Sequence, residues 1–255
     1  MSVQSDLSRL SVGAFADRFR TEMIPLSNKF SYFFVALPLG ADEIREYLEE
    51  PIAALPQSLL AVLPRVSVLL VPYLERTNGG RAHKPVEHYI TVEKPPENRS
   101  VVAAQIGRPD EAIIALALKD QEVADYHYRL YHMLAELLSR HMAEDSLSSY
   151  FTVLREELSS NVHGEVDEES WHLKQGLLRR QTNVRRETKG FREYALQSFV
   201  DTLTLYLHGI CCDIDVETGP RQLPSRHLRR RLDLLHNLYP PPEGYAVFPE
   251  ELNAK

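Results

Sequence analysis

Up to about residue 120, apolar residues come in short β-branched and aromatic runs broken by proline and glycine. From Gln121 to about Tyr239 they recur at helical spacing. In the first half, residues 29–37 (KFSYFFVAL), 66–74, 86–92, 100–106 and 111–118 read as strands. Residues 14–24, with Phe15, Phe19 and Met23 four apart, and residues 41–50, with Ile44 and Leu48 on one face, read as short amphipathic helices. Pro51, Pro56 and Pro64 cut the Leu/Ala-rich connector between them into short helical turns. Pro72 inside the second strand run predicts an edge or a bulge. Thr77-Asn78-Gly79-Gly80 is the strongest tight-turn signal, because Asn-Gly accepts positive φ. Gly107-Arg108-Pro109-Asp110 predicts a second hairpin between the last two runs.

The second half predicts helices over residues 121–142, 147–162, 168–181, 191–210 and from Ser225 to about Tyr239. Val123, Leu130, Leu134, Leu137 and Leu138 line one side of the first, and Gly164 stops the second. Val166 and Trp171 flank Asp167 as a hydrophobic staple flanks an N-cap. Residues 182–189 are a polar link, and Pro240-Pro241-Pro242 ends regular structure, leaving a tail over 241–255. The expected fold is α+β: a mostly antiparallel sheet of four or five strands in 27–119, packed against about five helices in 120–240, as one compact unit over 1–255.

Composition narrows the partners. The formal net charge of −7 disfavours nucleic acid and anionic lipid as whole-surface partners. Cys211 and Cys212 are the only cysteines, and neighbours in sequence do not readily bridge. The first residues lack a basic stretch followed by an apolar core, and no apolar run approaches the roughly 20 residues that span a bilayer. No membrane and a cytoplasmic location are the expectations.

Candidate chemistry is sparse. The 191–210 helix is apolar on most azimuths, yet Gln197, Asp201, Thr204 and His208 form a narrow polar stripe along it. Asp201 and His208 are seven positions apart, about 10 Å along a helix and within roughly 20° in azimuth, so both can address one elongated cavity. His163, Glu165 and His172 gather at a helix junction and are the expected neighbours of that stripe. Asp167, Glu168 and Glu169 complement a helix N-terminus. Asp213, Asp215 and Glu217 alternate as in a calcium loop, but Thr218 and Pro224 stand where that loop needs Gly and Glu. Arg226, His227, Arg229, Arg230 and Arg231 form a basic cluster suited to acids of the same chain or to an acidic partner.

His127, His132 and His141 share the 121–142 helix with acid–arginine pairs at i, i+4, which reads as a solvated charge ladder. The element order over residues 29–142 (strand, helix, strands, long helix) resembles the core of zincin metallopeptidases, whose long helix bears HExxH. Here His127-Tyr128-Arg129-Leu130-Tyr131-His132 places the histidines five apart with no Glu after the first. Five positions turn about 500°, some 140° off face, so the two rings do not meet one metal. The resemblance implies an inactive relative at most.

There is no GxxxxGK[ST], GxGxxG after a strand, GxSxG or CxxC. The expected function is a binding or regulatory protein acting through protein contacts, with a protein partner and no indicated cofactor. The alternative is a metal-dependent hydrolase, a degenerate zincin-like protein, using His, Asp and Glu of the helical half.

Overall fold

A computed structural model describes residues 10–77, 86–180, 186–212 and 221–247. The Asn78-Gly79 turn, the acidic run at 213–217 and most of the tail lie outside these. The elements in chain order are α1 (Val12–Arg18), β1 (Ile24–Pro25), β2 (Phe30–Phe34), α2 (Ala41–Ile44), α3 (Glu50–Ala53), α4 (Gln57–Val62), β3 (Arg65–Val71), β4 (Tyr73–Arg76), β5 (His88–Thr91), β6 (Ser100–Val101), β7 (Ala103–Gly107) and β8 (Glu111–Ala117). The helices α5 (Val123–His141), α6 (Glu144–Ser159), α7 (Glu168–Arg179), α8 (Lys189–Cys211) and α9 (Ser225–Leu238) follow. All described strands therefore precede residue 120. The chain divides into two compact units, Met1–Ile52 with Leu63–Met133, and Ala53–Val62 with Leu134–Lys255.

In the first unit a five-stranded sheet runs β1-β2-β3-β8-β7, and a three-stranded sheet runs β5-β4-β6. The expectation of a mostly antiparallel sheet fails at its centre, where β2, β3 and β8 are parallel and only β1 and β7 run the other way. The cause is visible in RVSVLLV and EAIIALA. Every residue after the first is buried in both strands, the near-continuous apolar run of a parallel strand covered on two faces. The proline-cut connector is the crossover between β2 and β3 that parallel pairing requires. Pro72 does not mark an edge: β3 is central, and Pro72 separates it from β4 in the other sheet. The β7–β8 hairpin forms as expected.

One face of the large sheet, with Leu69, Val71, Ile113 and Ala115, packs against Val12, Phe15 and Ala16 of α1 and against Leu74 and Ile90 of the small sheet. On the connector, residues 45–49 widen into a π turn just before Pro51. Glu50 N–H already bonds the Arg45 carbonyl, and Pro51 has no N–H, so the Glu46 carbonyl is left without a helical donor. The His127 Nε2–H donates to it at 2.8 Å, and the Tyr131 hydroxyl donates to the Pro51 carbonyl at 3.0 Å. His127 thus closes a backbone defect inside the first unit.

In the second unit α8 is the central helix, with Phe191, Tyr194, Phe199, Leu203, Tyr206 and Ile210 buried around its circumference. Asp167 caps α7 with its side chain, as its position predicts. Ser225 does not cap α9: it is the helix's first residue, and Pro224 holds the cap position without a side-chain bond. Gly164 (φ 74°) runs so close to the 221–223 segment that a Cβ there would lie 2.1 Å from the Gln222 carbonyl oxygen. That contact is the parallel bridge Glu165↔Gln222, closed by Glu165 N–H to Arg221 O and Leu223 N–H to Glu165 O, both at 3.0 Å. It fixes Glu165 between α6 and α7. No helix among the described residues is long and apolar enough to cross a membrane.

Candidate functional site

The parallel register β2–β3 sets Ser31 beside Ser67 on the α1 face of the sheet, near the strand starts. Below them in the same rows stand Arg65 and Glu111, also a register pair. The helix α1 stops at Arg18, so the rest of this face is not roofed by its apolar side. A 3-10 turn, Arg20–Glu22, carries Arg20 across instead. The result is a pocket of about 270 Å³ whose polar lining includes Arg20, Lys29, Arg65, Ser31, Ser67 and Glu111. Met23, Pro25 and Phe30 supply apolar wall.

The bonding inside it is directional. The Ser67 hydroxyl, only 3% exposed as a residue, donates to Glu111 Oε1 at 2.6 Å, and Ser31 Oγ lies 3.1 Å from Ser67 Oγ. Glu111 Oε2 has looser charge contacts, 3.4 Å to Arg20 and 3.8 Å to Arg108. Arg108 reaches from the β7–β8 hairpin to Asp17 at 2.7 Å and to the Gly13 carbonyl at 3.3 Å, pinning α1 to the sheet. Its hydrogen bond holds the Asp17 carboxyl below the usual range. Ser27 accepts the N–H groups of Lys29 and Phe30, shaping the turn from which Lys29 Nζ donates to the Leu63 carbonyl at 2.6 Å. Arg65 is exposed and has no hydrogen-bond or ion-pair partner among the described residues. Three cations against one carboxylate leave the pocket with an excess of two positive charges, in a chain whose net charge is −7.

The second unit holds a smaller pocket of about 170 Å³ between α6 and α8, floored by Leu147, Phe151 and Leu196. Its cations are already engaged. Arg155 lies over the Phe191 ring at 4.7 Å, and both Arg155 and Arg192 pair with Glu187.

The residues singled out from the sequence meet a different environment, a buried ion network at the junction of four helices. The Arg231 side chain, fully buried on α9, donates from Nε and Nη2 to Glu157 of α6, and from Nη1 to Glu165 at 2.7 Å and to Ser198 of α8 at 2.8 Å. Lys174 of α7, also fully buried, donates to Glu165 Oε1 at 3.0 Å and to the Gly164 carbonyl at 2.8 Å. The Tyr194 hydroxyl donates to Glu165 as well, and Tyr150 bonds Thr202 and the Ser198 carbonyl. Two carboxylates and two cations cancel, and both oxygens of Glu165 are occupied. Burial alone would raise the Glu165 pKa; the Arg231 charge, its hydrogen bond and Lys174 outweigh it and hold the group at about 2. Burial pushes Tyr150 up to about 12.

Asp201 stands one step from this network and shares none of its cations. It is 1% exposed, and Oδ1 accepts from Gln197 at 2.8 Å while Oδ2 has no hydrogen-bond partner among the described residues. Burial, with the charges of Asp167 and Glu165, drives its pKa up to about 7 against the pull of the nearby Ser170 hydroxyl and the Gln197 amide. The structure thus brings Glu165 and Asp201 into one interior region. His208 is half-buried on α8, one turn before Cys211 and Cys212, neither of which is in a disulfide among the described residues. His163 is exposed, and His172 is on the surface with its Nε2 3.4 Å from Glu168.

No protein-family model, curated protein or solved structure matches this chain. The ion network is closed: its charges are mutually neutralised and fully buried, so it holds helices together. The first-unit pocket is open, has hydroxyl and carboxylate groups on its floor, and keeps an unneutralised guanidinium at its rim. Arg231 and Lys174 were missed as buried groups. Leu228, Arg231, Leu232 and Leu235 lie at i, i+3, i+4, i+7, and Ser170, Lys174 and Leu177 at i, i+4, i+7, so both cations sit on core-facing stripes that the sequence displays.

Proposed function

We propose that the protein is a binding or regulatory protein whose first unit captures a small anion in the pocket at the starts of β2, β3 and β8. The observation that supports this is the excess positive charge of that pocket, and above all Arg65, exposed at its rim without a partner among the described residues. A guanidinium offers planar, paired donors that suit phosphate or carboxylate. The volume, about 270 Å³, falls at the small end of ligand sites and suits a metabolite-sized occupant. We propose further that a protein partner reads the occupied state and that the setting is cytoplasmic, as the sequence suggests. The metal-dependent hydrolase alternative is tested by elemental analysis: stoichiometric zinc, manganese or iron would favour it over the anion reading.

Calorimetric titration with inorganic phosphate tests the anion site. We expect binding in low salt, weakened by added sodium chloride because the rim is solvent-exposed. Arg65→Ala should reduce the affinity about tenfold, the order of one charge-assisted hydrogen bond. Absence of both heat and thermal stabilisation in excess phosphate, for a folded wild-type protein, would end the proposal.

A further inference from the structure

The floor and the rim of the pocket read opposite chemistries, and this follows from counting protons. Ser67 has one hydroxyl proton, and the 2.6 Å contact gives it to Glu111. Ser67 Oγ can then only accept in its 3.1 Å contact with Ser31, so Ser31 is the donor there. With both protons committed, the floor presents lone pairs alone: those of Ser31 Oγ and of Glu111, whose Oε2 meets, among the described residues, the longer contacts to Arg20 and Arg108. A ligand must bring donors to this floor. Around it stand Arg20, Lys29 and Arg65, which present only donors and positive charge.

An ammonium would satisfy the floor but meets an excess of two positive charges, so hydroxyl groups fit better. The same excess matches a dianion at the other end of the ligand. Met23, Pro25 and Phe30 offer apolar surface to a carbon skeleton between the two. We infer that the pocket binds a small hydroxylated phosphomonoester, a sugar or polyol phosphate. Its phosphate lies among Arg20, Lys29 and Arg65, and its hydroxyls donate to Glu111 and Ser31. This deepens the anion-binding proposal and rests on it.

Titrating the full chain with ribose 5-phosphate, ribose and inorganic phosphate separates the two. Ribose 5-phosphate should bind about tenfold or more tighter than inorganic phosphate, the increment of hydrogen bonds to a charged acceptor, and ribose alone should give no measurable heat. Glu111→Gln and Ser31→Ala should each bring the ratio of ribose 5-phosphate to inorganic phosphate affinity down towards one, Glu111→Gln while raising the affinity for inorganic phosphate, because it removes the one carboxylate of the lining. Ser31 is only half-buried, so its alanine variant remains informative if the Glu111 variant fails to fold. Equal affinities for phosphate and ribose 5-phosphate would overturn the hydroxyl-reading floor while leaving the anion site standing. A ribose 5-phosphate preference that survives both substitutions would also overturn it. If neither phosphate compound binds, both proposals fall.

Discussion

Arg231→Leu should destabilise the second unit by roughly 3–5 kcal/mol, the scale on which removing one partner leaves buried charge uncompensated. In the native protein Arg231 bridges Glu157 and Glu165, all three side chains being fully buried. Without it, two buried carboxylates would be left with Lys174, whose ion pair is with Glu165. Arg231→Lys keeps the charge but cannot reproduce the fork that reaches Glu157, Glu165 and Ser198 together, so it should fall between wild type and leucine. Trp171, the only tryptophan, sits on α7 within this unit and reports its urea unfolding by fluorescence. Replacing Arg231, Glu157, Glu165 and Lys174 together by apolar residues of similar size should recover most of the loss, because no charge is then stranded. An Arg231→Leu variant within about 1 kcal/mol of wild type would show that the network contributes no more than an ordinary surface pair.

How much of this was legible in the sequence depended on whether one element or two were needed to see it. The division into strands before residue 120 and helices after it, the cap at Asp167, the β7–β8 hairpin and the central place of α8 are each properties of one segment or two neighbours, and the pattern shows them. Parallel pairing of β2, β3 and β8 joins residues far apart in the chain, Phe30 with Val66 and Arg65 with Glu111. Apolar runs such as RVSVLLV signal burial on both faces and leave the partner's direction open. The pocket inherits that difficulty. Ser31 and Ser67 each look like an isolated polar residue in an apolar strand, and only their register pairing turns them into a floor. In the helical half, Asp201 is buried along the mostly apolar α8 and Glu165 is buried by its bridge to Gln222, while His163 and His172 are exposed. Arg231 was masked by its company. Arg226, Arg229 and Arg230 are exposed, and a basic run hides the one member that faces inward.

Asp201→Asn should stabilise the protein at pH 8 by about 2–4 kcal/mol and do little near pH 4, so that the difference between variant and wild type grows with pH. The wild-type carboxyl titrates near 3.8 when unfolded and at about 7 when folded, because burial and the nearby Asp167 and Glu165 charges oppose ionisation. A raised acid pKa favours the folded state most at low pH. That advantage is lost as pH rises from about 4 to about 7, a total of about 4 kcal/mol for a shift of this size, and is constant above. Asparagine removes the titration, keeps an oxygen for the Gln197 amide and places an amide nitrogen where Oδ2 now lacks a partner. Part of the gain is returned if that nitrogen is imperfectly bonded, hence the lower end of the range. Glu165 acts in the opposite sense. Its pKa is held at about 2 in the folded state against 4.5 unfolded, so its stabilisation is present above about 4.5 and lost as pH falls towards 2. Both groups lie in the second unit, and together they place its maximum stability at about pH 4 to 5. Urea unfolding followed through Trp171 from pH 3 to pH 9 reads both limbs. A gap between Asp201→Asn and wild type that is the same at pH 5 and pH 8 would show that Asp201 does not titrate between them, and its buried, cation-free position would then need a compensating charge not among the residues described.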